Sequence, residues 1–130
     1  MNFFVRLLKI LAMCTEREVE EFLKAFLYKL NFWGLLIRTD RTNPKNTDTM
    51  LALGIRYIHV KEILQQLRPE DYLKGPMSDK LYHGSDMWVF GKMVQGREVY
   101  IKVQMGPPNR ETICISFHFS DHKMNYPFKN

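Results

Sequence analysis

Cysteine is scarce in this 130-residue chain, which has only Cys14 and Cys114, far apart in the sequence. No cysteine–histidine pattern has the spacing of a zinc site, and no glycine-rich phosphate loop follows a strand-like run. A nucleophile elbow is also missing. We therefore expect a reduced intracellular chain with no metal, no nucleotide cofactor and no disulfide framework.

Long hydrophobic runs are also missing, and the most apolar segment is residues 1–12. Arg6 and Lys9 interrupt it, whereas a membrane-spanning helix needs roughly 20 apolar residues and a secretory signal has its positive charge before the apolar run. We expect a cytoplasmic protein with no membrane anchor. Three roles stay open for this segment: a basic amphipathic surface helix, an element packed on the domain, and an extension before a start at Met13.

The composition is that of one globular domain. A chain of 130 residues with 45% hydrophobic and 13% aromatic residues buries a single core. We predict one domain over 1–130, with residues 1–14 as an N-terminal extension and residues 15–128 as the folded unit. The net charge of +5 fits an anionic partner such as nucleic acid.

Three helices and one early strand are predicted before residue 70. Thr15 and Glu18 have the spacing of a capping box, and apolar residues at steps of three and four continue the pattern, which predicts a helix over 16–31. Residues 32–38 are short, apolar and rich in strand formers. A helix cap at Thr47–Asp48 with Gly54 at the far end predicts a second helix, and residues 59–67 a third. Residues 68–85 read as a loop.

Three strand-like runs follow, at residues 87–94, 97–105 and 112–119. They are joined by Gln95–Gly96 and by residues 106–109, both typical of turns between antiparallel strands. The element order is therefore α-β-α-α-β-β-β. We predict an α+β fold, with an antiparallel sheet of about four strands and helices packed on one face.

Alternation along the last two strands predicts a core face and a polar face. The core face is predicted to hold Val99, Ile101, Val103, Met105, Ile113, Ile115, Phe117 and Phe119. The polar face gathers Tyr100, Lys102, Ser116 and His118, with Thr112 and Cys114 on the same side. An open sheet face ordinarily carries polar residues, so a purely solvated surface is the plain alternative.

This set of side chains contains the parts needed for metal-free RNA cleavage. Paired carboxylates for two-metal chemistry are absent from the polar face. Lysines bind phosphate, and an imidazole and a phenol move protons near neutral pH. In such cleavage the 2′-hydroxyl loses its proton and attacks its own 3′-phosphate, while the leaving 5′-oxygen is protonated. Lysine charge stabilises the transition state.

Several segments resemble the MqsR-like toxins of bacterial toxin–antitoxin systems, within the wider RelE-like group. The resemblance lies in YLKGP at 72–76, WVFGK at 88–92, EVYIK at 98–102, ISFH at 115–118 and YPF at 126–128. It implies a RelE-like fold and a small ribonuclease that cuts messenger RNA, on or off the ribosome. It also implies a cognate antitoxin protein that neutralises the toxin.

Matched by position, the resemblance implies that Lys74, Tyr100 and His118 are catalytic. The best-known members have lysine in place of His118, and glutamine in place of Val89. We therefore hypothesise that His118 is the general base or acid and that Tyr100 is its partner or a hydrogen-bond donor to phosphate.

Further residues are assigned to phosphate binding, namely Lys102, Lys92 and Ser116. The assignment of Lys92 depends on the hairpin register, because a two-residue turn at Gln95–Gly96 places its side chain on the core side. His122 follows the last strand and could approach His118, but the sequence does not fix the direction of the tail. Three loop cations are predicted to be solvated, namely Arg38, Arg41 and Lys45. A non-catalytic module that binds RNA, the ribosome or a protein is the alternative function.

Overall fold

The computed structural model describes residues 2–4, 14–40 and 42–129. Most of the N-terminal segment, residues 5–13, lies outside the described residues, as does Arg41. The helices are α1 (Glu16–Trp33), α2 (Lys45–Leu53) and α3 (Tyr57–Gln65), with a 3-10 turn at Pro69–Asp71. The strands are β1 (Leu35–Ile37), β2 (Tyr72–Met77), β3 (Met87–Val94), β4 (Arg97–Gln104) and β5 (Thr112–Phe119).

Helix α1 begins at the predicted capping box. The Thr15 hydroxyl accepts a hydrogen bond from the Glu18 backbone N–H, and the Glu18 carboxylate accepts one from the Thr15 N–H. The helix continues two residues past the predicted end, so that Phe32 and Trp33 belong to it rather than to the strand. Its buried stripe consists of Val19, Leu23, Phe26 and Leu30.

The α+β class is confirmed, and the sheet has five strands rather than about four, in the order β1-β5-β4-β3-β2. The additional strand is β2, which occupies part of the segment predicted as a loop. It pairs antiparallel with β3 through an irregular register. Strand β1 pairs parallel with β5, so the sheet is mixed.

The hairpin between β3 and β4 has the predicted two-residue turn. Gln95 and Gly96 both have positive φ, at 52° and 78°, as a tight turn matched to strand twist requires. Val94 pairs with Arg97 across it. This register places Trp88, Phe90 and Lys92 on the helix side of the sheet.

All three helices contribute to one core on that side, which includes Phe26 of α1, Leu53 of α2 and Leu64 of α3. The ring of Phe22 stacks on Trp88 with centroids 4.3 Å apart. The core residues of these helices lie on one side of the sheet, and we call the opposite side the polar face. No described helix is both long and apolar enough to cross a membrane.

A bulge in β5 corrects the predicted core face of this strand. Lys102 pairs with Ser116, but Val103 pairs with Cys114, so that Ile115 is the extra residue. The alternation therefore inverts at this point, and Cys114 belongs to the core together with Phe117. Thr112 is fully buried, whereas Ile113 and Ile115 lie outside the core.

Helix α2 closes the free edge of β5 beyond the end of β1. The Asn46 amide donates to the carbonyls of Arg38 and Ile115, both at 2.9 Å, and its oxygen accepts from the Phe117 N–H at 2.8 Å. The Thr49 hydroxyl accepts from the Phe119 N–H. These side chains fix the backbone on both sides of His118.

Candidate active site

Two rows of side chains cross the polar face. The strand pairings place Lys74, Val89, Lys102 and Ser116 in one row, on β2, β3, β4 and β5. The next row holds Gly91, Tyr100 and His118. Because paired residues of neighbouring strands share a face and lie about 5 Å apart, the rows bring the predicted groups together.

Tyr100 and His118 are in direct contact. Their rings stack, with centroids 5.2 Å apart and planes 16° from parallel. The Nδ1 atom of His118 lies 3.1 Å from the Phe119 carbonyl oxygen. A carbonyl oxygen only accepts hydrogen bonds, so this contact favours the tautomer with the proton on Nδ1, in which Nε2 carries the lone pair.

Burial raises the pKa of the Tyr100 phenol above its ordinary value. Desolvation disfavours the phenolate, and the group therefore stays protonated at neutral pH. The stacked pair thus places a protonated phenol beside an imidazole, two groups that are able to exchange protons.

The two lysines of the first row influence each other. Desolvation lowers the pKa of Lys102, and the positive charge of Lys74 lowers it further, while Asp79 acts in the opposite direction. The two ammonium groups therefore lie within electrostatic reach. Such a pair is stabilised when an anion such as phosphate lies between or above the two charges.

Two clefts meet at His118. The first, here called the loop cleft, has a volume of about 490 Å³ and runs between the end of β1, the start of α2 and the loop of residues 78–86. Lys102, Ser116 and His118 form its floor. The second, the tail cleft, has a volume of about 390 Å³ and is lined by Lys74, Tyr100, His118 and the C-terminal residues 120–125.

The C-terminal segment forms the outer wall of the tail cleft. The Tyr126 hydroxyl donates to the Glu98 carboxylate at 2.8 Å, and the ring of Phe128 stacks on Tyr72 with centroids 5.4 Å apart. Gly91 of β3 lies beneath this segment, and a side chain there would collide with the Tyr126 ring and the Met124 methyl group. His122 lines the same cleft as His118.

Lys92 is not part of this arrangement, although it was a predicted phosphate ligand. Its side chain lies on the helix side, where the ammonium group contacts Asp71 at 2.9 Å and the Gln66 carbonyl at 3.2 Å. The two-residue turn fixes this outcome. The structure thus brings together Lys74, Tyr100, Lys102, Ser116 and His118, and leaves Lys92 on the opposite face.

Two features of the site were missed from the sequence. Asn46 positions the β5 bulge, but its place in a polar run gives no sign of this. Loop 78–86 forms one wall of the loop cleft. Arg38 contacts Tyr82 of this loop, although the sequence predicted Arg38 to be a solvated cation. Among residues 2–4, 14–40 and 42–129, no cluster of three or more His, Cys, Asp or Glu residues is arranged to hold a metal ion.

A family model described as "Motility quorum-sensing regulator, toxin of MqsA" matches residues 27–119. The match covers more than two thirds of the chain, from within α1 to the end of β5, and includes all five residues brought together on the polar face. No curated protein and no solved structure shows significant similarity to the chain. The chain therefore belongs to the MqsR toxin family, and it is a toxin of a toxin–antitoxin system.

Proposed function

We propose that this toxin is a metal-independent endoribonuclease that cleaves messenger RNA. The observation that carries the proposal is the contact between Tyr100 and His118 on a sheet face that also holds Lys74 and Lys102. A proton acceptor, a proton donor and two cations are the groups that transesterification of RNA requires.

The reaction starts at the 2′-hydroxyl of the nucleotide before the cleaved bond. Nε2 of His118 takes the 2′-hydroxyl proton, and the 2′-oxygen attacks the adjacent phosphorus. The bond between phosphorus and the 5′-oxygen then breaks, and Tyr100 gives its proton to that oxygen. The products are a 2′,3′-cyclic phosphate and a 5′-hydroxyl, and both side chains regain their starting protonation by exchange with water.

Lys74 and Lys102 bind the scissile phosphate in this scheme. Their charges oppose the negative charge that develops on the non-bridging oxygens as the fifth bond to phosphorus forms. The Ser116 side chain lies opposite Lys102 and contributes a hydrogen bond to the same phosphate. Because burial raises the pKa of Tyr100, the phenol keeps its proton at neutral pH and can give it to the 5′-oxygen as the bond breaks.

The cellular setting follows from this chemistry. We place the reaction in the cytoplasm, where messenger RNA is translated, with either free or ribosome-associated RNA as the substrate. A cognate antitoxin is the protein partner. It would silence the toxin by covering the clefts or by binding elsewhere and closing them.

The test is product analysis with a defined RNA in buffer containing EDTA. We expect cleavage with 2′,3′-cyclic phosphate and 5′-hydroxyl ends, identified by mass spectrometry and by failure of the new 3′ ends to be polyadenylated. RNA binding without cleavage would contradict the proposal and favour the non-catalytic RNA-binding module. Cleavage that stops in EDTA would also contradict it.

A further inference from the structure

The loop cleft has a floor that belongs to the proposed cleavage site and walls that do not. Lys102, Ser116 and His118 form the floor, whereas Arg38, the start of α2 and loop 78–86 form the walls. Its volume of about 490 Å³ lies within the usual range for small-ligand sites. The cleft is thus large enough for a nucleotide beside the scissile phosphate.

Loop 78–86 is held in place by an internal network. Asp79 is only 7% exposed, and its carboxylate accepts hydrogen bonds from the N–H groups of Tyr82 and Gly84 and from the Gln104 amide. Gln104 also donates to the Ser85 carbonyl at 2.8 Å. These bonds, led by the one from Tyr82, lower the pKa of Asp79, so it stays ionised. The wall is therefore preorganised for a ligand.

Tyr82 offers an aromatic surface on this wall. Tyr82 lines the loop cleft and is 63% exposed as a residue, while the guanidinium carbon of Arg38 lies 4.2 Å from its ring centroid. Arg38 also donates to the Gln104 side chain at 3.5 Å, which ties the stacked pair to the loop network. An exposed aromatic ring backed by arginine is a typical platform for an unpaired base.

The charges of the cleft favour an anion. Arg38, Lys45, Lys80 and Lys102 line it, against Asp40 and Asp79. The Asp40 carboxylate accepts hydrogen bonds from the Thr42 N–H and hydroxyl, and Asp79 is occupied by the loop. Within the described part of the chain, neither Lys45 nor Lys80 has an ion-pair partner. Both ammonium groups are therefore available to phosphates.

We propose that the loop cleft is a nucleotide subsite for single-stranded RNA, in which a base stacks on Tyr82 and the neighbouring phosphates contact Lys45 and Lys80. The inference rests on the proposed function, because the shared floor at His118 makes this nucleotide a direct neighbour of the cleaved bond. The tail cleft then holds the nucleotide on the other side of that bond. Unpaired bases are required, since a base in a duplex cannot stack on a side chain.

The experiment combines protein variants with modified substrates. A DNA oligonucleotide with one ribonucleotide, placed at the mapped cleavage position, confines cleavage to the bond after that ribonucleotide. Two modified substrates each lack one of the bases that flank this bond: one has an abasic ribose at the ribonucleotide, and the other has an abasic residue at the nucleotide that follows. For wild type we expect one of the two abasic substrates to lose about 5- to 150-fold in kcat/KM, the range observed for base–aromatic stacking. Tyr82→Ala should show the same loss on the intact substrate and no further loss on that abasic one.

Tyr82→Phe is the matched control, because it keeps the ring and should cleave like wild type. The inference is wrong, and the proposed function stands, if Tyr82→Ala cleaves the intact substrate like wild type or if its loss adds to that of the abasic substrates. If no protein cleaves, fluorescence anisotropy with the same labelled oligonucleotides replaces kinetics. Weaker binding by Tyr82→Ala but not by Tyr82→Phe then supports the subsite, and equal binding overturns it.

Discussion

At the scale of single residues, the proposed chemistry depends on two stacked rings with different protonation. The Phe119 carbonyl favours the proton on Nδ1 of His118, and burial keeps the proton on Tyr100. The sequence predicted that the two side chains lie on one face, because alternation along β4 and β5 requires it. It did not predict the stacking or the favoured tautomer, since both depend on the local backbone at Phe119.

Replacing Tyr100 by phenylalanine keeps the stacked ring and removes the proton. We expect Tyr100→Phe to lower the cleavage rate by about 10²- to 10⁴-fold, the usual contribution of general acid catalysis. A second substrate has sulfur in place of the leaving 5′-oxygen. On this substrate the rate loss caused by Tyr100→Phe should shrink to less than about 10-fold, because a thiolate leaves without a proton. An equal loss on both substrates in single-turnover kinetics would show that Tyr100 is not the general acid.

At the scale of elements, β5 shows why part of the site escaped prediction. Residues 112–119 alternate in type throughout, and no glycine marks the bulge at Ile115. Only the pairing with β4 and the hydrogen bonds from Asn46 reveal it. Short-range patterns in the sequence were enough to predict the three strands β3, β4 and β5, the helices, and the polar side chains of β4. Strand β2 was not, since Gly75 and Pro76 are unusual inside a strand.

Asn46 is expected to position the site without touching substrate. Asn46→Ala removes three hydrogen bonds and leaves the Ile115 carbonyl and the Phe117 N–H without this partner, so we expect a loss of about 2 to 4 kcal/mol in urea denaturation. Cleavage by the folded fraction should also fall, because His118 follows Phe117 directly. Thr47→Ala, at the exposed next position of α2 and outside both clefts, is the matched control. Full activity of Asn46→Ala would argue against this positioning role.

The two faces of the β3–β4 hairpin separate stability from function. Lys92→Met breaks the largely buried ion pair with Asp71, and we expect it to destabilise the protein by about 1 to 3 kcal/mol. Cleavage per folded molecule should stay within about two-fold of wild type, since Lys92 lies on the helix side. If folded Lys92→Met protein lost cleavage activity specifically, Lys92 would have a role in the site after all.

At the scale of the whole molecule, the net charge is +5, and part of the positive charge lies on the polar face, where we expect RNA to bind. Lys74 and Lys102 repel each other in the free protein, and Lys102 is partly desolvated. Such an arrangement costs stability in the absence of ligand, which is common where function requires uncompensated charge. The sequence indicated the excess of charge and placed Lys102 on the polar face. It did not locate the positive charge of the loop cleft, because β2 and most of loop 78–86 were predicted together as one loop over residues 68–85.

This cost gives a prediction for the dependence of stability on pH. The pKa of Lys102 in the folded chain lies below its ordinary 10.5, so between the two values the unfolded chain binds more protons. The contribution of Lys102 to the free energy of unfolding should therefore rise with pH through that window, whereas the raised pKa values of Tyr72 and Cys114 make their contributions fall, so the effect of Lys102 is measured as a difference between wild type and variant. Lys102→Met should remove this rise and raise stability at pH 7 by up to about 1 kcal/mol, after discounting for solvent screening.

Urea denaturation at pH 7 and near pH 10 measures both effects, with Lys24→Met on the exposed side of α1 as the control. The control should keep the wild-type slope. If the Lys102→Met protein is less stable than wild type at pH 7, the claim that the charge of Lys102 destabilises the free protein is wrong. We also expect this variant to lose cleavage, in contrast to Lys92→Met.

The most direct test of the account is the single-turnover cleavage rate of His118→Ala in EDTA, compared with wild type and with His59→Ala. His59 lies in α3, where its Nδ1 accepts the Arg56 N–H, and is remote from the polar face. We predict that His118→Ala keeps the fold by circular dichroism and loses at least about 100-fold in rate, while His59→Ala cleaves like wild type. A His118→Ala protein that still cleaves RNA within a few-fold of the wild-type rate would contradict the central claim.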